Sequence, residues 1–221
     1  MDPIIHTARL KLTLLTTASR SSQEFTCIHQ LRSNTQSSCL YGPSKNSEDT
    51  EKALRNILPV PHVEGEEKVH RFAYIVHELA EGSEGNEEQF IGLITLRSLS
   101  PFETKFPPRD KHSSTSTLLS LELAYMFLPK SWGRGFATES IAAVLENCAR
   151  VSAAYWTRYE TVVVRAIVND ENAASQRVME KCGMGEPEVV EFEGGRFFIA
   201  GKWRTRHRLF VYGKEIVVES G

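Results

Sequence analysis

The 221-residue chain has little of what metal sites, disulfide frameworks and membrane spans require. Its four cysteines form no Cys-x-x-Cys pair and its seven histidines do not fall at metal-ligand spacing, so we expect no metal and no disulfide framework. No apolar run approaches the roughly 20 residues that span a bilayer, and the amino terminus does not resemble a signal peptide. These absences predict a cytoplasmic protein without a membrane partner.

An excess of charge of one sign is also missing. The chain has 26 lysines and arginines against 28 aspartates and glutamates, for a formal net charge of −2. Nucleic-acid binding needs a net basic surface that neutralises phosphates, so we expect no nucleic-acid partner. With 41% hydrophobic residues, the length suits one domain with a full core.

The charge is nevertheless segregated along the chain. Residues 64–88 carry eight acids against two bases, whereas residues 196–214 carry six bases and no acid. A run of like charge is most simply a solvated face, and we interpret the basic run in this way. A docking surface for an acidic partner or a phosphate group is the alternative.

Hydrophobic periodicity and composition predict an α/β protein. Strands are predicted over residues 8–14, 69–79, 89–99, 118–128, 161–168, 188–192 and 207–218, with a loop between the last two. Helices are predicted over residues 23–32 and 48–57, after residue 135, and over 170–182. This order indicates a single domain, 1–221, with one mixed sheet and helices on its faces. Segments near 33–47 and 100–117 are predicted to be loop insertions.

The most informative segment is Lys130-Ser-Trp-Gly-Arg-Gly-Phe-Ala137, between a strand and a helix. Gly133 and Gly135 allow a tight turn that brings several N–H groups to one point, and a helix N-terminus adds about half a positive charge. The combination predicts a cradle for an anion such as pyrophosphate. A Walker loop is absent, and the dinucleotide fingerprint fails because residue 138 is threonine rather than glycine.

This segment resembles the acetyl-CoA-binding motif of the GNAT superfamily of N-acetyltransferases. Lys130 stands where that family usually has Gln or Arg, and Gly133 and Gly135 match its glycines. Residues 121–139 are most similar to the branch of ribosomal-protein N-terminal (alanine) and spermidine acetyltransferases. The second block of that branch is matched by residues 169–184.

Two further segments, residues 7–12 and 90–96, resemble the first strand of that branch and the strand before the motif. The resemblance therefore covers most of the chain in the right order. It implies the GNAT fold, a central and mostly antiparallel sheet with a splayed β4/β5 pair and helices on both faces.

The resemblance also implies acetyl-CoA as cosubstrate, held without a metal. Backbone groups of Met126, Phe127 and Leu128 would pair with the pantetheine arm and polarise the thioester, and Pro129 fits a break in strand pairing there. The cradle residues that would hold the pyrophosphate are Gly133, Arg134, Gly135, Phe136, Ala137 and Thr138. Asn169 and Asn172 complete the cofactor set; capping of its own helix is the alternative role for Asn172.

Two catalytic residues are predicted. An attacking amine must lose a proton, and Glu122 is the candidate base, acting through water, with a pKa raised by its apolar neighbours. The alternative is a glutamate on the solvated side of its strand. The position of the tyrosine that many family members use as proton donor is Met179 here, which cannot donate. The ribosomal-protein branch has a serine at the position of Ser175, and the resemblance implies that Ser175 hydrogen-bonds the departing thiolate or relays a proton to it through water. Tyr125 is predicted to be a core residue.

These observations favour an acetyl-CoA-dependent N-acetyltransferase that transfers the acetyl group directly to a primary amine. A protein N-terminus, a polyamine and a small-molecule amine all remain open as acceptors, and the protein is expected to be a monomer or homodimer. The alternative is a non-catalytic acyl-CoA-binding module or sensor, which Met179 keeps open and which Glu122 and Ser175 argue against.

Overall fold

The structure is a computed structural model that describes residues 1–37, 42–65, 68–80, 88–98, 118–151, 155–156, 159–199 and 202–217. The predicted insertion at 100–117 lies outside these residues, as do residues 38–41 of the one predicted at 33–47. The described part of the chain forms one eight-stranded sheet with four α-helices packed on it.

The strands and helices have the following bounds. The strands are β1 (Ile4–His6), β2 (Leu10–Leu14), β3 (Arg71–Leu79), β4 (Glu88–Ser98), β5 (Leu118–Phe127), β6 (Thr161–Asn169), β7 (Glu188–Ile199) and β8 (Lys202–Val217). The helices are α1 (Gln23–Ser33), α2 (Ser47–Ile57), α3 (Phe136–Arg150) and α4 (Ala173–Lys181), and a 3-10 turn occupies Pro129–Ser131. The strand order in the sheet is β1-β2-β3-β4-β5-β6-β8-β7.

Strand pairing is antiparallel in this sheet except between β5 and β6. Those two strands are parallel over five residue pairs, from Leu118 opposite Thr161 to Glu122 opposite Arg165. Beyond Glu122 both strands continue without pairing to each other, so the sheet opens into a gap. The predicted splayed pair is confirmed; it is β5/β6 in this numbering because β1, which we did not predict, precedes the others.

Helices cover both faces of the sheet, as predicted. Alternate residues of β3 enter two separate hydrophobic clusters, as the period of a strand requires. Tyr74 and Val76 join the cluster under α3 and α4, whereas Ala73 and Ile75 join the cluster under α1 and α2. These two faces are named the α3/α4 face and the α1/α2 face.

Side-chain caps determine where three of the helices begin. Ser22 accepts a hydrogen bond from the Phe25 N–H before α1, and Asn46 accepts one from the Asp49 N–H before α2. Asn172 caps α4 in the same way, so this helix begins at Ala173 rather than at residue 170 as predicted. Helix α3 begins without any side-chain cap.

The prediction of a loop between the last two strands is wrong, because β7 and β8 continue into that segment and pair with each other there. Arg206 Nε lies 3.1 Å from Glu193 Oε1, and Arg208 donates to Glu191 at 2.8 Å. Gly194, at a φ of 85°, lies in the register shift that interrupts the ribbon. The facing strand supplies acids that the basic run lacks, which fits the interpretation of that run as a solvated face.

Candidate active site

The gap between β5 and β6 exposes backbone groups of β5 that have no partner strand. The Leu128 N–H donates to the Ile91 carbonyl at 2.8 Å, so in this antiparallel ladder the backbone groups of Met126 also face β4. Those of Tyr125 and Phe127 therefore face the gap. The pairing of Met126, Phe127 and Leu128 with a pantetheine arm stays a prediction. Of these three residues, Phe127 is the one whose backbone groups face the gap.

One of these groups is already bonded within the protein. The Phe127 carbonyl accepts the indole N–H of Trp132 at 2.8 Å and the Ser37 hydroxyl at 3.0 Å. The Leu128 carbonyl accepts the Ser131 N–H at 2.9 Å, as the chain turns after Pro129. The Phe127 N–H and the backbone of Tyr125 are the groups left to face a ligand in the gap.

Gly92 lets β4 pass closely beside this part of β5. A Cβ atom at Gly92 would lie 2.5 Å from Phe127 Cδ1 and 2.7 Å from the Met126 carbonyl oxygen, closer than atoms can approach. A glycine is therefore needed opposite Phe127 for β5 to keep its position at the gap. Gly92 belongs to the segment 90–96 that resembles the family strand before the motif, but that resemblance predicts no role for it.

The start of α3 has the backbone geometry that the predicted cradle requires. Gly133 and Gly135 have φ angles of 73° and 82°, in the left-handed region that favours glycine, and Gly135 is the N-cap residue of the helix. Since no side chain caps α3, the first-turn N–H groups of Phe136, Ala137 and Thr138 point out of the helix without an intrahelical acceptor. This geometry suits an anion.

Two arginines flank the cradle, each held by a glutamate. Arg9 Nε donates to Glu139 Oε2 at 2.8 Å, and Arg134 Nη1 donates to Glu78 Oε2 at 2.8 Å. Both guanidinium groups lie over the Phe136 ring, with their carbons 4.7 and 4.4 Å from its centroid. Phe136 is almost fully buried, so the ring that both cations contact is itself held in place by the core.

Arg9 is a residue of the cradle that sequence reasoning missed. Its Nη2 is the atom that a Cβ at Gly135 would meet, at 3.6 Å, and its Nη1 donates to the Arg134 carbonyl. Burial acts to raise the pKa of Glu139, but hydrogen bonds from Thr7 and Arg9 hold it below its usual range. The sequence feature that could have pointed to Arg9 is the resemblance of residues 7–12 to the first strand of the family.

Glu122 lies at the last residue pair before the gap, on the α1/α2 face. Its Oε2 is 3.4 Å from Arg97 Nη2, and the two side chains are 22% and 33% exposed. It is also in register with Arg165, which is buried. The apolar surroundings predicted for Glu122 are wrong: Leu121 and Leu123 project to the opposite face of the strand, and Ala124, on the same face, is exposed.

Two asparagines follow one another at the end of β6 and the start of α4. Asn169 is 7% exposed, its Oδ1 accepts the Glu171 N–H at 3.0 Å, and its Nδ2 is buried without a hydrogen-bond partner among the described residues. Asn172 Oδ1 accepts the Ser175 N–H at 3.1 Å, which is the capping role we had weighed as the alternative. The buried Nδ2 of Asn169 is a donor at the open end of the gap.

Ser175 and Tyr125 approach each other from opposite sides of the gap. Ser175 is in the first turn of α4, and Tyr125 is on β5 beyond its pairing with β6. Burial raises the pKa of Tyr125 to about 12, and the adjacent Ser175 hydroxyl opposes that change. Met179, at the family's tyrosine position, is fully buried in the core under α3 and α4.

A cavity of ≈ 290 Å³ lies elsewhere, between α1 and the neighbouring ends of β2, β3 and β4. Its lining includes Thr13, Glu24, Cys27, His77 and Glu88, and none of the predicted site residues. In the part of the chain that the structure describes, no three His, Cys, Asp or Glu side chains are grouped as metal ligands. No described helix has the length and apolar character needed to cross a membrane.

A protein-family comparison gives a match over most of the chain. Residues 11–185 match the family model described as an acetyltransferase (GNAT) domain. A search of curated proteins gives no match.

Solved structures are similar in fold over nearly the whole chain. A GNAT-family acetyltransferase from Bacillus anthracis is 18% identical, with a TM-score of 0.58 over 96% of this chain and 97% of that one. A ribosomal alpha-N-protein acetyltransferase in complex with coenzyme A is 17% identical, with a TM-score of 0.59 over 98% and 99%. Spermidine N-acetyltransferase from Vibrio cholerae, in complex with CoA and spermine, is 20% identical, with a TM-score of 0.52 over 93% and 95%.

Proposed function

The chain belongs to the GNAT acetyltransferase family, and from that membership we propose that it transfers an acetyl group from acetyl-CoA directly to a primary amine. The observation that carries this proposal is the uncapped start of α3 beside the gap between β5 and β6. The other three helices begin with a side-chain cap, so the unsatisfied N–H groups at Phe136, Ala137 and Thr138 fit an anionic ligand.

The residues present fit the pyrophosphate and the pantetheine arm of coenzyme A. The pyrophosphate would lie on the N–H groups from Gly133 to Thr138, with Arg134 beside it. The pantetheine arm would extend along the Phe127 backbone in the gap. The buried Nδ2 of Asn169 has no hydrogen-bond partner in the described part of the chain and would donate to an acceptor there, together with the amide of Asn172. Acetyl-CoA, when bound, supplies an acyl group activated as a thioester.

Glu122 is proposed to take the proton of the amine, through water. A primary amine has a pKa of about 10.4, and an α-amino group one of about 8, so a base is needed near neutral pH. Glu122 lies at the opening of the gap on the α1/α2 face, from which we infer that the acceptor enters on that face. Ser175 is proposed to lie on the α4 side of the thioester.

Transfer without an acyl-enzyme is supported by the two described cysteines of the α3/α4 face, Cys148 and Cys182. Burial raises the pKa of Cys148 to about 12 and of Cys182 to about 11, and neither thiol is exposed. A thiol of this kind is a poor nucleophile, because only the thiolate attacks. Buried free thiols also suit a reducing compartment, so we propose that the reaction is cytoplasmic.

The acceptor is proposed only as a class. The similar structures are named for acetylation of a ribosomal protein's α-amino group and of spermidine. A protein N-terminus, a polyamine or a small-molecule amine would each present the primary amine that this chemistry requires. We propose that the enzyme acts on one of these as a monomer or homodimer, without a metal.

The test combines binding with turnover. Calorimetric titration with acetyl-CoA should give saturable binding to one site per chain, and release of free CoA should require an amine from a panel of peptides, polyamines and small amines. Absence of binding would contradict the cradle assignment. Binding with no amine-dependent CoA release across the panel would contradict the transferase and leave the sensor alternative.

A further inference from the structure

A departing thiolate needs a hydrogen-bond donor, and the side chain at the expected place cannot supply one. Given the proposed function, on which this inference rests, cleavage of the thioester leaves negative charge on sulfur inside the gap. Met179 has no donor and is fully enclosed by the core. Ser175, the predicted partner of the thiolate, and the neighbouring Tyr125 both present a hydroxyl beside the gap, in addition to water.

The Tyr125 hydroxyl lies beside the Ser175 hydroxyl, but its own O–H has no acceptor among the described residues. Its Oη is buried, and among the described residues no group completes a hydrogen bond to it with full geometry. Burying an unsatisfied hydroxyl costs free energy, so such groups are rare in native structures and call for a reason. Tyr74, on the same face in β3, shows the ordinary arrangement, because its hydroxyl donates to the Asp2 carbonyl at 2.7 Å.

The position of Tyr125 supplies that reason. The residue is three positions beyond Glu122, where β5 has separated from β6, and its side chain lies on the α3/α4 face. The Ser175 hydroxyl of α4 is adjacent to its own, and the Phe127 ring packs edge-on against it at 6.3 Å between centroids. The Tyr125 hydroxyl therefore lies between β5 and α4, on the side of the gap opposite to Glu122.

We propose that the Tyr125 hydroxyl donates a hydrogen bond to the coenzyme sulfur as the carbon–sulfur bond breaks. The amine nitrogen forms the new bond to the carbonyl carbon, and the carbon–sulfur electron pair leaves on sulfur. The nitrogen's proton passes through water toward Glu122, and the thiolate, held by the Tyr125 O–H, takes its proton from solvent. Because burial raises the pKa of Tyr125 to about 12, the phenol keeps its proton throughout the neutral range and acts as a donor.

The experiment measures the pKa of the thiol of bound CoA, which needs no knowledge of the acceptor. The ultraviolet absorbance of the thiolate is followed against pH for saturating CoA on the wild-type protein, on Tyr125→Phe and on the matched control Tyr74→Phe. Loss of one hydrogen bond to the thiolate should raise the pKa of the bound thiol by about 1 in Tyr125→Phe, a tenfold loss of thiolate. Tyr74→Phe should leave that pKa unchanged.

Identical thiol pKa values in the wild-type protein and Tyr125→Phe would overturn this inference. Failure of every variant and of the wild-type protein to bind CoA would instead contradict the proposed function. If Tyr125→Phe alone fails to fold or bind, 3-fluorotyrosine placed at position 125 replaces it as a stronger donor of the same shape. That substitution should lower the pKa of the bound thiol, and an unchanged pKa would overturn the inference.

Once an acceptor is known, kinetics give a second readout. Tyr125→Phe should lower kcat about tenfold with an unchanged KM for acetyl-CoA, because the hydrogen bond forms with charge that exists only during transfer. A rise in KM with unchanged kcat would contradict a role at the sulfur.

Discussion

The two sides of the gap are built from different parts of the polypeptide. The cradle side uses the backbone: left-handed glycines at 133 and 135, the uncapped first turn of α3 and the strand edge at Phe127. The opposite, α1/α2 side uses side chains from three strands, with Glu122 in register between Arg97 and Arg165. A backbone site tolerates most changes of side chain but depends on glycine, whereas a side-chain site depends on each group it presents.

The largest effect, on the affinity for acetyl-CoA, is expected at the cradle side of the gap. Gly135→Asp places a Cβ on a residue at φ 82° and a negative charge where the pyrophosphate should lie, so acetyl-CoA affinity should fall by about 1,000-fold or more. Calorimetry measures the affinity. Gly194→Asp, at φ 85° in the β7–β8 ribbon, imposes similar backbone strain and should leave affinity unchanged. Retained binding by Gly135→Asp would show that the cradle is elsewhere.

The side-chain side should respond in rate rather than in cofactor affinity. Glu122→Gln keeps the shape and removes the base, so kcat should fall about 100-fold while the Kd for acetyl-CoA is unchanged. Steady-state rates and calorimetry separate the two quantities. Glu215→Gln, an exposed change on the same sheet face in β8, is the matched control. Equal rates for both variants would remove Glu122 from the reaction.

Two asparagine helix caps, one beside the gap at the start of α4 and one at the start of α2, separate the capping role of an asparagine from contact with the cofactor. Asn172 caps α4 and Asn46 caps α2 through the same hydrogen bond from side-chain oxygen to backbone N–H, at 3.1 and 2.9 Å. Each change to alanine should cost about 1 kcal/mol of unfolding free energy. Asn172→Ala alone should also weaken acetyl-CoA binding about tenfold through loss of the amide contact. If both variants bind acetyl-CoA normally, Asn172 is a cap and nothing more.

The smallest expected effect concerns the charges beside the cradle. Glu78 pairs with Arg134, whose side chain is 49% exposed, and an exposed pair contributes little to stability. Glu78→Gln releases the arginine for the cofactor and removes a nearby negative charge, so acetyl-CoA affinity should rise about threefold at low salt. Glu88→Gln, which breaks the 2.7 Å pair with Lys11, should change nothing. Weaker binding by Glu78→Gln would mean that Glu78 positions Arg134 productively.

Sequence reasoning succeeded where the determinants are local. Gly133 and Gly135 stand next to the helix that they begin, so the left-handed turn and the start of α3 could be predicted from one segment. The splayed strand pair followed from the family resemblance. The extent of the β7–β8 ribbon could not be predicted from the sequence, because Arg206 and Glu193 stabilise the ribbon only once the two strands face each other.

The rest of the site depends on residues far apart in sequence. Arg9 meets Glu139 across 130 positions, and Tyr125 meets Ser175 across the gap, so no local pattern links either pair. The surroundings of Glu122 were predicted wrongly from its immediate sequence neighbours, which point to the other face. Its actual neighbours, Arg97 and Arg165, come from adjacent strands, and only strand register brings them together.

The short parallel contact between β5 and β6 has a thermodynamic consequence. Among the residues that the structure describes, five residue pairs join β1–β5 to the remaining strands across the sheet, and the backbone of β5 beyond them pairs with no strand on that side. A ligand lying in the gap adds hydrogen bonds along this seam in the native state alone. The melting temperature should therefore rise with ligand concentration, and amide hydrogen exchange at Tyr125 and Phe127 should slow more than exchange in β2 and β3.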